Sequence, residues 1–198
     1  MNIFIDAVSS EAHLILFDNK KIIKDNISWH IKWQESSTII TKLDKFLIKN
    51  NISYENLDNI FVVNGPGSFT WIRTIVLIVN TINFIIKKNI IPISYFDLFS
   101  YYPIIKSSSK NDCFVKFDKK SKIEIITNEN ILKKLKKDTI NKIFWDFYFD
   151  TFKKQAKEND IKIVEKVDYS DIISNIDINH IKKYKEIKPL YVKEPNIS

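Results

Sequence analysis

The chain has 198 residues, a single cysteine and a formal net charge of +7. That length supports one large domain or two small ones with a core that needs no staple. A lone Cys113 excludes an internal disulfide and fits a reducing, cytoplasmic setting. The start Met1-Asn2-Ile3-Phe4 shows no basic leader, and the apolar run from Ile75 to Ile86 is broken by Asn80, Thr81 and Asn83, short of the roughly 20 residues a membrane span needs.

Residues 3–8 read as a buried strand ending in the polar turn Ser9-Ser10-Glu11. Residues 13–17 form a second strand, Asp18-Asn19-Lys20 a turn, and residues 21–33 a third strand antiparallel to the second. Ser36-Ser37 open a helix with Ile39, Ile40, Leu43, Phe46 and Leu47 at helical spacing, stopped by Asn50-Asn51. A short capped turn at 53–56 precedes a fully apolar strand at 59–63. Asn64-Gly65-Pro66-Gly67 is a tight loop, and Ser68 an N-cap for a helix running to about Lys88. Ile91-Pro92-Ile93-Ser94 begins another strand, and residues 96–102 a further helix. A three-stranded meander followed by helix-crossed strands is the RNase-H-like order, with the last strands parallel to the first. Residues 106–112 read as a loop and hinge. Beyond it, strands fit 113–117, 122–127, 140–145 and 161–167, and helices fit 129–137, 150–159 and 171–184. Residues 188–193 read as an extended tail. The division is therefore residues 1–105 and a smaller α/β part, 106–198.

Composition singles out one place. Ile, Asn and Lys are abundant, while glycine is nearly absent. An average chain of this length holds roughly 14 glycines; this one holds 2, Gly65 and Gly67, with the only arginine, Arg73, six residues on. Rare residues that cluster under such a bias mark a site that cannot give them up. Backbone N–H groups at a helix N-terminus make an anion site, and the glycines would allow close approach. The plainer reading is a strand-to-helix turn that needs glycine for its geometry. The spacing fits neither a Walker A nor a dinucleotide fingerprint.

Asp6, at a strand's carboxyl end, marks either a ligand crevice or a structural carboxylate. His13, His30 and His180 form no pair with metal-ligand spacing, so no metal is expected. Cys113 reads as a small buried residue at a strand start. In the helix after the loop, Phe69, Ile72, Ile75, Val76, Val79, Ile82 and Ile86 line one face, and Leu77, Ile78, Phe84 and Ile85 fill much of the rest. A helix apolar nearly all round must be covered on more than one side, within the chain or by a partner. The positive charge either draws nucleic acid or an acidic partner or reflects lysines scattered along the chain.

The run Val63-Asn64-Gly65-Pro66-Gly67-Ser68-Phe69-Thr70-Trp71-Ile72-Arg73 resembles the Gly-Pro-Gly-Ser-Phe-Thr-Gly-Leu-Arg signature of the TsaB (YeaZ) family. Asp6-Ala7-Val8-Ser9 is similar to that family's opening Asp-Thr-Ser, and Pro189-Leu190-Tyr191-Val192-Lys193 to its terminal Pro-x-Tyr-x-Arg. Trp71 stands where the signature has glycine, and the Asp-x-Gly-Thr of active ATPase relatives is absent.

The resemblance implies an α/β, actin-like ATPase (ASKHA) fold of two RNase-H-like subdomains, the second reduced. It implies a non-catalytic partner of TsaD in making threonylcarbamoyladenosine beside the tRNA anticodon. No cofactor is implied. The ATPase TsaE joins the complex, tRNA is touched indirectly, and a homodimer is the alternative assembly. By the same resemblance, Gly65, Pro66, Gly67, Ser68, Phe69, Thr70 and Arg73 form the signature loop, with Arg73 expected to fork onto backbone carbonyls or an acidic partner group. Ile39, Leu43, Phe46, Ile72, Ile75, Val76, Val79 and Ile82 would carry the interface, and Asp6 with Ser9 a vestigial ligand site. The competing readings are a sugar-kinase-like or actin-like ATP-binding enzyme and a glycoprotease-like protein.

Overall fold

The computed structural model describes residues 1–8, 11–31, 38–109, 111–145, 150–164, 168–176 and 182–193. The chain divides into two compact units. The first is Met1–Tyr95 with Asp168–Tyr191, and the second is Phe96–Val167 with Val192–Ser198. The first unit is therefore not one continuous stretch: a C-terminal segment returns to it.

In the first unit, β1 (Asn2–Asp6), β2 (Glu11–Phe17) and β3 (Ile23–His30) form an antiparallel meander. The β2–β3 turn is held by Asp18, whose Oδ1 accepts from the N–H groups of Lys20 and Ile22 at 2.9 Å each. Next come α1 (Thr38–Lys49), β4 (Asn59–Gly65), α2 (Phe69–Ile86) and β5 (Asn89–Ser94). The sheet order is β3-β2-β1-β4-β5, with β1, β4 and β5 parallel. β1 is buried along its whole length, as a strand covered on both faces must be. Edge strand β3 alternates between half-buried and exposed residues.

Both crossovers, β3 to β4 and β4 to β5, step across the sheet in the same direction. Right-handed connection then puts α1 and α2 on the same face. α2 packs on β4 and β5. It is long and apolar enough to cross a membrane, yet Ile72, Ile75, Val76, Ile78, Val79 and Asn83 are buried against its own unit. Its end is set by Lys87, in the left-handed conformation at φ 57°. A further helix, α5 (Tyr169–Asn175), returns to this unit and buries Ile172 and Ile173.

The second unit repeats the plan in shorter strands: β6 (Ile104–Ser107), β7 (Asp112–Lys116), β8 (Glu124–Thr127), α3 (Asn128–Lys137), β9 (Lys142–Trp145), α4 (Asp150–Glu158) and β10 (Lys162–Val164). Its order, β10-β9-β6-β7-β8, is the first sheet's order read from the other end. Ile105, Cys113, Val115, Leu135, Ile143 and Phe152 sit in its core. Two RNase-H-like units, the second reduced in strand length, are the fold.

Three local expectations are corrected. Residues 96–102 form no helix, only a single 3-10 turn at Tyr95–Asp97. Pro103 disfavours helical backbone at Tyr102 before it. The predicted hinge at 106–112 begins inside a strand, because Ile104 and Ile105 are fully buried and β6 is the central strand of the second sheet. The predicted helix over 171–184 is shorter: α5 ends at Asn175, and Ile176 is already extended; residues 177–181 lie outside the described residues.

Candidate functional site

β4 delivers the chain into the Gly65 loop, and α2 takes it away. Gly65 is buried with φ +129°, a conformation that only glycine adopts without strain. The Gly65-Pro66 peptide is cis. A Cβ on Gly65 would stand 2.5 Å from the Leu190 carbonyl oxygen and 3.2 Å from Ile72 Cδ1. The close approach that the glycine permits is therefore by the chain's own C-terminal segment. Pro66 is buried, Gly67 half-buried, and Ser68 and Thr70 exposed. Ser68 does occupy the N-cap of α2, but its side chain makes no capping hydrogen bond.

Residues 184–191 run along β5, α2 and β4 as an extended strap. Tyr184 exchanges both main-chain hydrogen bonds with Ile90, each 2.8 Å. Asn83 Nδ2 donates to the Lys185 carbonyl at 2.8 Å. Asn80 Nδ2 donates to the Ile187 carbonyl at 2.9 Å, and its Oδ1 accepts from Ile187 N–H at 3.1 Å. Asn64 Nδ2 donates to the Lys188 carbonyl at 2.9 Å, and its own carbonyl accepts from Leu190 N–H at 2.8 Å. The Tyr191 ring then stacks on Phe69 at 4.6 Å. Arg73, exposed, places its guanidinium 5.7 Å from the Phe69 ring centre in a cation–π contact. Asn80 and Asn83, which read in the sequence as interruptions of an apolar helix, hold the strap. They satisfy backbone groups that would otherwise be desolvated without partners.

The first strand ends in a second polar cluster. Asp6 is fully buried. Its Oδ1 accepts from Val8 N–H at 3.0 Å, and its Oδ2 from the Tyr169 hydroxyl at 2.8 Å. The Tyr169 ring stacks on His13 at 3.9 Å. Burial holds the His13 imidazole below its ordinary value of 6.5, outweighing the nearby Asp6 and Glu11 carboxylates. Asp6 thus ties α5 to the sheet edge, a structural task that the sequence alone left open. Ser9 lies outside the described residues. Cys113, as expected, is buried at the start of β7; burial first, and Asp112 second, push its thiol up to about 12. Among the described residues, no group of three or more His, Cys, Asp or Glu side chains is placed to hold a metal ion.

The eight residues expected at an interface are mostly interior. Ile39, Leu43, Phe46, Ile72, Ile75, Val76 and Val79 are buried within the first unit, and Ile82 is half-buried. They face inward because the apolar side of each helix must first cover the sheet. The apolar residues facing outward are others: Leu77, Phe84 and Ile85 on α2 are 67%, 76% and 74% exposed, and Ile40 and Ile48 on α1 are 45% and 72% exposed. Leu77, Thr81, Phe84 and Ile85 follow the spacing of one helix face.

Two five-stranded sheets in RNase-H-like order, the first carrying the loop between β4 and α2, define the actin-like fold. Residues 33–114 match the family described as "TsaD: tRNA N6-adenosine threonylcarbamoyltransferase". No curated protein matches the chain by sequence. A solved structure titled as YeaZ from Pseudomonas aeruginosa is similar at a TM-score of 0.52 and 11% identity; the match covers 63% of this chain, and the chain spans 63% of that one. A second, an uncharacterized protein with similarity to peptidase YEAZ from Pseudomonas aeruginosa, reaches a TM-score of 0.74 at 10% identity over 97% of this chain and 99% of that one. At such identities the structures carry the fold. The family match, over residues 33–114, makes that part of the chain similar to TsaD-type proteins.

Proposed function

We propose that the chain is the non-catalytic partner subunit of a TsaD-type transferase in the modification of tRNA to threonylcarbamoyladenosine, acting in the cytoplasm. The observation that carries this reading is the outward face of α2. Leu77, Phe84 and Ile85 are large, apolar and about three-quarters exposed, on a helix whose opposite face already covers the sheet. Large apolar side chains left exposed on one helix face are costly in water and favour burial by another protein. α1, on the same face of the sheet, adds Ile40 and Ile48. The site residues argue in the same direction. Asp6 is occupied by a turn N–H and a tyrosine hydroxyl, and the Gly65 loop is occupied by the chain's own strap. An ATPase such as TsaE would join the pair, and tRNA would be contacted through the partner. The test is light-scattering size exclusion of the chain with its cognate TsaD-type protein. A one-to-one complex is expected, replacing any dimer that the chain forms alone. A self-dimer that ignores the transferase, or a monomer that ignores it at micromolar concentration, would remove the assignment.

A further inference from the structure

The strap is recognised in a way that goes beyond ordinary chain packing. Tyr184, Lys185, Ile187, Lys188 and Leu190 each give at least one main-chain group to the first unit, and the partners are three asparagine side chains and the backbone of β4 and β5. This is how a groove reads an extended peptide: main-chain bonds supply affinity, and pockets for spaced side chains supply selectivity. Two strap side chains make such contacts, one buried and one stacked at the surface. Ile187 is buried, and four residues on, Tyr191 stacks on Phe69. Between and before them, Glu186 and Lys188 point to solvent. The groove floor is built for the approach, since Gly65 leaves room for the Leu190 carbonyl and nothing larger than glycine would. Asn83 is buried within α2; its Nδ2 bonds the Lys185 carbonyl of the strap, while its Oδ1 accepts from Lys88 N–H at 2.7 Å at the end of the helix.

We propose that β4, α2 and β5 form a peptide-binding groove for an extended segment with an apolar residue and, four positions on, an aromatic one, and that its occupant is the chain's own segment 184–191, held as a detachable ligand. The groove adjoins the outward face of α2 at Phe84 but is built from other contacts, those of Asn64, Asn80, Asn83 and Ile90 with the strap, and so does not depend on a transferase binding there. Phe84 and Lys87 on α2, together with Lys185 and Glu186 on the strap, line a cleft of about 780 Å³ beside it, so the strap also forms one wall of a surface recess.

The test uses the full chain with a sequence-specific protease site inserted between Ile176 and Lys182. After cleavage the C-terminal fragment should remain bound on size exclusion and should exchange for a fluorescein-labelled peptide of residues 182–193, read by fluorescence polarisation. Peptides carrying Ile187→Ala or Tyr191→Ala should bind about tenfold more weakly. One carrying Glu186→Ala and Lys188→Ala should bind as the parent does. Asn80→Ala with Asn83→Ala in the receptor should weaken the parent peptide by at least about tenfold. A fragment that never exchanges, a fragment that leaves an otherwise folded chain, or equal weakening by the solvent-facing substitutions would overturn the proposal. Hydrogen exchange on the uncut chain decides the matter if cleavage unfolds it. The amides of Tyr184, Ile187 and Leu190 should exchange together and faster than those of central β4. Exchange only with global opening would make the strap inseparable core and refute the site.

Discussion

Gly65→Ala separates a loop that needs glycine for geometry from one that needs it for an outside ligand. The change meets two obstacles. At φ +129° an alanine is strained, at about 1–3 kcal/mol. Its Cβ would also stand 2.5 Å from the Leu190 carbonyl oxygen, a backbone atom that cannot swing aside. The strap must therefore lift. Lifting breaks Leu190 N–H to Asn64 and Asn64 Nδ2 to Lys188, each worth about 1 kcal/mol, and the Tyr191–Phe69 stack, worth about 1 kcal/mol more. The expected loss is about 4–6 kcal/mol of stability, or a melting temperature lower by roughly 10–20 °C for a chain of this size. Urea titration followed by circular dichroism measures it. Ser68→Ala is the control: its side chain makes no capping bond, so it should change stability by no more than about 0.5 kcal/mol. A Gly65→Ala protein within about 1 kcal/mol of the parent would refute the strap as the reason for the glycine.

Other expectations rest on the polar cluster, the thiol and the helix face. Asp6→Ala leaves the Val8 N–H and the Tyr169 hydroxyl without their acceptor and should cost about 2–4 kcal/mol, whereas Tyr169→Phe should cost about 1–2 kcal/mol, both by chemical denaturation. Burial depresses the His13 pKa, so the unfolded chain binds the proton more readily; stability should be fully present above 6.5 and fall as pH drops below it, and His13→Gln should flatten that slope in a series of urea titrations. With its thiol pushed up to about 12, Cys113 should resist a disulfide reagent at pH 8 in the native chain and react at once in denaturant. Phe84→Asp should leave melting within about 2 °C of the parent, because its side chain is 76% exposed, while weakening transferase binding by at least about 30-fold.

The meander, the helix-crossed strands and the loop were legible because each carries strong local punctuation: Asp18 at its turn, an unbroken apolar β4, and Gly65-Pro66 before Ser68. The second sheet was legible as elements but not as an order, since its strands have only 3–5 residues, too few for a clear period. The clustering of glycine pointed to the right place but not to the reason. Leu190 is 125 positions from Gly65, and nothing local in the sequence says that a tail returns there. Signs existed in Asn64, Asn80 and Asn83, polar residues on the elements that line one groove, and in the Pro189–Lys193 motif that needed a docking place. Helical spacing marks a helix's most apolar stripe, here Ile39, Leu43 and Phe46 on α1 and Ile72 to Ile82 on α2. That stripe covers the sheet, and the surface left over, Leu77, Phe84 and Ile85, is read only once the sheet is in place.

The proposed role rests on the outward face of α2 docking a TsaD-type transferase. Isothermal titration of that cognate protein into the parent chain and into the Phe84→Asp chain tests it most directly. One-to-one binding to the parent and little or none to the variant are expected, with both chains equally folded. No heat with the parent, or equal binding by the two, would contradict it.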